Sequence, residues 1–145
     1  MLIVNSYGVK LVTKKKHYFP LQLDSDLSIL TFLIHLGLHE QPQEQFHVVF
    51  LSTDLWITGH SHIATGSNSK SVVHPPDVFR AAILANAHRI ILAHNHPCGS
   101  VDPSSQDLEL TSKLVAIGAL IDIPIVDHII VSEDEHFSFT EHQLL

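Results

Sequence analysis

The segment His94-Asn95-His96-Pro97-Cys98-Gly99-Ser100-Val101-Asp102-Pro103-Ser104-Ser105-Gln106-Asp107 gathers side chains that bind metals, donate hydrogen bonds and turn the chain. Residues i and i+2 of a strand face the same way, so His94 and His96 can present two imidazoles to one point. Pro97 and Gly99 then turn the chain, and a helix beginning near Asp102-Pro103 can return the Asp107 carboxylate to that point. Two neutral imidazoles and one carboxylate suit zinc. Three protein ligands leave a fourth position for water, whose pKa such a metal brings to about 7. The helix N-terminus adds a positive dipole end. Ser104, one turn before Asp107, can donate a hydrogen bond beside it.

Several arrangements with similar letters do not fit. The letters H-N-H suggest a nuclease of that name, but those residues are dispersed over a ββα unit. A metallo-β-lactamase-like H-x-H-x-D-H needs Asp then His where Cys98 and Gly99 stand. A nucleobase deaminase needs H-x-E and a later P-C-x-x-C, and this chain has one Cys. The zincin H-E-x-x-H is absent. H-x-H-x7-S-x2-D is satisfied without a gap by His94, His96, Ser104 and Asp107. This pattern resembles the JAMM (MPN+) metalloprotease signature. His94-Asn95-His96-Pro97-Cys98-Gly99, Asp107-Leu108-Glu109-Leu110-Thr111, Lys113-Leu114 and Asp127-His128-Ile129-Ile130-Val131 further resemble the RadC branch, which carries a JAB/MPN-type domain. The resemblance covers about residues 25–145.

The resemblance implies zinc held by His94, His96 and Asp107. It implies that Ser104 positions the water or stabilises the tetrahedral oxyanion. It also implies a glutamate general base ahead of the first core strand, where Glu44-Gln45-Phe46-His47-Val48-Val49-Phe50-Leu51 matches. The base expected on that ground is Glu44, which spacing alone does not separate from Glu40. The chain departs from the family in two places. Cys98 stands where Ser is usual, and Pro76-Asp77 stand where Arg-Glu is usual. Cys98 is readable as a fourth ligand, a redox-sensitive group or a simple loop substitution. The lost arginine bears on substrate contacts rather than on the metal. The helix-hairpin-helix module that often precedes this domain is not in the sequence, so no DNA-binding part is expected.

Strands and helices must position these residues. Residues 2–19 read as two short strands around Tyr7-Gly8, and the Lys14-Lys15-Lys16 run as a solvated edge. Asp24-Ser25-Asp26 offers N-cap chemistry for a helix over 25–39. Strands are expected at 46–51 and 55–64, then a helix through 77–84 with proline near its start, and a strand at 89–94. A helix from Asp102-Pro103 to about Ile117, stopped by Gly118, leads to strands at 123–131 and 137–139. Interleaving of this kind gives an α/β (α+β) fold, a mixed sheet flanked by about three helices. The resemblance implies the JAB/MPN-like, cytidine-deaminase-like version. Residues 1–20 are expected to form an N-terminal β extension and 21–145 the domain.

The chain carries 13 histidines among 145 residues. The His35/His39 pair lies at i, i+4 without an acid motif. His60-Ser61-His62 has the spacing of the ligand pair but no acid or turn after it. Neither is expected to ligate. His128, beside Asp127, reads either as support for the site or as strand-end structure. His136 and His142 lie in an acidic tail.

A formal charge of −7 argues against gripping nucleic acid directly. The lone Cys fits a reducing, cytoplasmic setting. Met1 leads into Leu2-Ile3-Val4-Asn5 without a basic region or long apolar run, so neither a signal peptide nor membrane contact is expected. The expected activity is zinc-dependent hydrolysis of a peptide or isopeptide amide in a peptide or protein substrate. The rival expectations are a RadC-type DNA-repair or mobile-element accessory role, and a non-catalytic MPN scaffold.

Overall fold

The computed structural model describes residues 8, 12–16, 22, 26–66 and 73–145. Most of the expected N-terminal β extension lies outside the described residues, as does His17. Residues 12–16 have no regular structure, and Lys14, Lys15 and Lys16 are exposed.

The elements follow in the order α1 (Asp26–His35), a 3-10 turn (Leu38–Glu40), β1 (Gln45–Leu51), β2 (Ile57–Thr65), α2 (Pro75–Leu84), β3 (Arg89–Asn95), α3 (Ser105–Leu120), β4 (Ile125–Val131) and β5 (His136–Ser138). One five-stranded sheet runs β2-β1-β3-β4-β5. β3 and β4 are parallel and joined by α3, while the other neighbours are antiparallel. This mixed sheet with three helices is consistent with the JAB/MPN-like fold.

β1 and β3 read as unbroken apolar runs because both of their faces are buried. Phe46, Val48, Phe50, Ile90 and Leu92 pack with Val78 and Phe79 of α2 and Leu114 of α3. Val49, Leu51, Ile91 and Ala93 pack on the other face with Ile29, Phe32 and Leu33 of α1. Alternation along β3 therefore sends His94 to the α3 side and Asn95 to the α1 side.

Three helix boundaries, one in α1 and two in α3, differ from the sequence expectation. The first helix ends at His35 rather than 39, because Gly37 adopts φ 70, a left-handed conformation that stops an α-helix. His35 and His39 therefore lie on separate elements. α3 begins two residues later than Asp102-Pro103 would set it, with Ser104 as its N-cap, and it continues through Gly118 to Leu120. Gly118 does not stop the helix. It lets α3 meet the next strand's approach, since a Cβ there would lie 2.6 Å from the Ile123 carbonyl oxygen.

Gly118→Ala should therefore destabilise the chain. A helical propensity gain of about 1 kcal/mol is outweighed by overpacking that costs about 1–3 kcal/mol. Urea unfolding of the two chains checks this, and a more stable Ala variant would contradict the close approach.

Candidate metal centre

The centre forms where β3 ends and α3 begins. His94 is the penultimate residue of β3, and His96 follows the strand, its amide bonded to the Val131 carbonyl of β4 at 2.9 Å. Asp107 sits in the first turn of α3. Ser104 and Asp107 form a reciprocal capping box. The Asp107 amide donates to Ser104 Oγ at 3.1 Å, and the Ser104 amide donates to Asp107 Oδ2 at 2.8 Å. The Ser104 hydroxyl also donates to Asp107 Oδ2, at 2.6 Å. This start, rather than one at Asp102, aims the carboxylate at the two histidines.

The donor atoms converge. His94 Nε2 and His96 Nε2 are 3.0 Å apart, His94 Nε2 lies 3.3 Å from Asp107 Oδ1, and His96 Nε2 lies 3.5 Å from Asp107 Oδ2. A tetrahedral zinc with bonds of about 2.0–2.1 Å requires ligand atoms about 3.3 Å apart. Among the described residues, His94, His96 and Asp107 are the group that could hold a metal ion. Cys98 is exposed and stands outside this set. His94 is 1% exposed, whereas His96 and Asp107 are 13% and 14% exposed, so the centre opens on one side. A cleft of about 750 Å³ adjoins it there, lined by His96, Pro97 and Cys98 against Glu40, Gln41 and Glu133–Glu135.

Hydrogen bonding sets the tautomer of both imidazoles. The Thr111 hydroxyl donates its one proton to the Asp107 carbonyl at 2.6 Å. Towards His128 Nδ1, also at 2.6 Å, Thr111 must therefore accept, which puts a proton on Nδ1. Burial first, then the charge of His94, holds the His128 pKa well below the ordinary value, so His128 is neutral and its Nε2 is an acceptor. His94 Nδ1 donates to it at 2.8 Å, so a ring with one proton leaves its lone pair on Nε2. His96 Nδ1 donates to the Ser100 carbonyl at 2.8 Å, with the same result. Both lone pairs face the shared point, as metal ligation requires.

Burial opposes ionisation of Asp107, but in the metal-free chain hydrogen bonds from protonated His94 and His96 Nε2, with that of Ser104, outweigh burial and hold the carboxyl far below the usual carboxylate range. A second proton on His96, at Nε2, can bond to Asp107, which raises the pKa of His96 against burial, and the Ser100 carbonyl and the charges of Asp107 and Glu44 add to the rise. The charge of Glu44 thus reaches the centre. Glu44 is half-buried and immediately precedes β1, and extending the Phe46–His94 register by two residues brings it level with His96. Glu40 is exposed on the cleft wall.

Other candidate residues go elsewhere. Asp127 does not reach the centre. Its carboxylate accepts from the His128 and Thr140 amides and the Ser138 hydroxyl, tying β4 to β5. Asp77, at the departure from the RadC pattern, pairs with Arg80 at 2.7 Å on the surface. His60 and His62 stack with His47 instead of converging, with ring centroids 5.7 and 4.8 Å from it. Sequence reasoning assigned no role to Thr111. Its signal was the i+4 spacing from Asp107, which puts both on one helix face.

A family model for the RadC-like JAB domain matches residues 24–144. The chain belongs to the RadC-like JAB domain family. Its relatives include a UPF0758 protein of Chlorobaculum parvum, 43% identical over 106 residues, which are 73% of this chain and 48% of the relative. UPF0758 protein CT0611 of Chlorobaculum tepidum is 44% identical over the same length and shares. A UPF0758 protein of Thermotoga maritima is 38% identical over 122 residues, 84% of this chain and 54% of the relative. This RadC-like chain spans about half the length of the curated relatives it matches. No helix among its described residues is long and apolar enough to cross a membrane.

Two predictions follow from the hydrogen bonds and stacking. Thr111→Val leaves His128 Nδ1 without its acceptor, and calorimetric titration should show zinc affinity about 10–100-fold weaker. Unchanged affinity would refute the tautomer chain. The second concerns His47, whose pKa is pushed down to about 4 by burial and by His62 and His60. Between pH 6.5 and 4 the unfolded chain therefore binds more protons at this position. Folding stability should fall as pH drops through that window, by up to about 1.4 kcal/mol per unit from His47. His47→Gln should flatten this part of the urea-unfolding pH profile, and an unaltered slope would exclude His47.

Proposed function

We propose that the chain is a zinc-dependent hydrolase of the JAMM type that cleaves a peptide or isopeptide amide. The observation that carries this reading is the donor triangle of His94, His96 and Asp107, with edges of 3.0–3.5 Å and both imidazole lone pairs turned inward. The donor set of two nitrogens and one carboxylate oxygen fits zinc and leaves a tetrahedral position open. Zinc held there supplies a Lewis acid that ionises water near neutrality and polarises a carbonyl.

The chain's own residues do the remaining work. Glu44, level with His96, takes a proton from the attacking water and returns it to the leaving amine. Ser104 orients Asp107 through the capping box, and its hydroxyl, once turned from Asp107 Oδ2, would donate to a developing oxyanion. The α3 N-terminus adds its positive dipole end. His94, 1% exposed, fixes the dry side, and the side of His96 admits substrate from the cleft. Domain limits of about 21–145 and a peptide or protein substrate belong to the same reading.

Metal analysis and hydrolysis of a panel of peptide and isopeptide amides test it. Wild type should retain about one zinc per chain and His96→Ala should lose it, while Glu44→Gln should keep zinc and lose about 10²–10⁴-fold in rate. Equal zinc in wild type and His96→Ala would sink the ligand assignment. A wild type that never retains zinc would point to a non-catalytic scaffold.

A further inference from the structure

We infer that Asn95 is the positioning residue for Glu44. This rests on the reading of Glu44 as the general base. Asn95 stands between the two histidines of the centre, yet alternation sends its side chain to the opposite face of the sheet. There it is 1% exposed, with every polar atom in use. Oδ1 accepts from the Gln45 amide at 2.7 Å, and Nδ2 donates to the carbonyls of Gln41 at 3.0 Å and Gln43 at 3.1 Å.

The two residues flanking Glu44 are thus bonded to one buried amide. The β1–β3 ladder pairs Phe46 with His94 and no residue before Phe46, so it does not fix residue 44. Gly66 holds the Glu44 carbonyl from the β2 side at 2.7 Å, and Asn95 holds the peptide from the β3 side. Asn95 and His96 share a backbone, so the hold on Glu44 and the placement of His96 Nε2 come from adjacent residues. An irregular segment acquires the rigidity of a central strand at the point where a base must meet a metal site.

Cobalt(II) is the probe, titrated into the full chain, with the pH midpoint of its visible absorption band as readout. Deuterium exchange over residues 41–45 of the metal-free chain is the second readout. Asn95→Ala should still bind one cobalt per chain. Its midpoint should fall as in Glu44→Gln, because a nearby carboxylate charge raises proton affinity and in both variants that charge has left the site. Exchange over 41–45 should accelerate in Asn95→Ala. Asn95→Ser, neutral and able to keep one hydrogen bond, should move both readouts the same way by less, and it carries the comparison if the Ala variant does not fold. A wild-type midpoint or unaltered exchange in the Asn95 variants, with a moved midpoint in Glu44→Gln, would overturn the role of Asn95 and leave Glu44 standing. An unmoved midpoint in Glu44→Gln would remove both.

Discussion

At the C-terminal end of β3, successive side chains must point to opposite faces of a sheet covered on both sides, and each of them is polar. A buried polar group without a partner costs about 1–3 kcal/mol, so every donor and acceptor there has to be matched. The matches build the site. His94 finds His128, then Thr111, then a carbonyl of α3. Asn95 finds the segment entering β1. His96 finds Ser100 in the loop that follows. One strand end thereby couples α3, β4 and the 41–45 segment, and leaves unspent the two imidazole lone pairs that face Asp107.

Much of this was legible in the sequence. The apolar runs at 46–51 and 89–94 marked central strands, and the period of two put His94 and His96 on one side. The helix beginnings were read less well. Asp102-Pro103 carries good cap chemistry, but Ser104 offers a reciprocal box with Asp107, and two satisfied donors outweigh one. Gly118 reads as a stop because glycine usually ends helices, whereas here it permits a close backbone approach that only tertiary structure reveals. Thr111 and Asn95 were not legible as supporting residues. Spacing puts Thr111 on the helix face of Asp107, but its contact with His128 lies 17 residues away and those of Asn95 about 50, and no local pattern encodes contacts across that separation.

The histidine-rich composition divides along physical lines. His94, His96 and His128 form one connected group, in which hydrogen bonds pass a fixed donor–acceptor order from α3 to the donor triangle. His47, His60 and His62 form another, stacked across β1 and β2 with His60 against Phe32. Equal i, i+2 spacing therefore gives convergence at the end of β3 and stacking on β2. What separates the two is the carboxylate that α3 returns to the first pair.

Asp107 holds two positions at once: it closes the cap of α3, and it is one corner of the donor triangle. Whatever ion occupies that triangle also pins the first turn of the helix that crosses from β3 to β4. Free energy of occupancy is then free energy of helix initiation, and stability must grow with the logarithm of free metal concentration. The dependence runs both ways. A partner or solvent condition that unwinds the turn after Ser104 would eject the ion without touching either histidine.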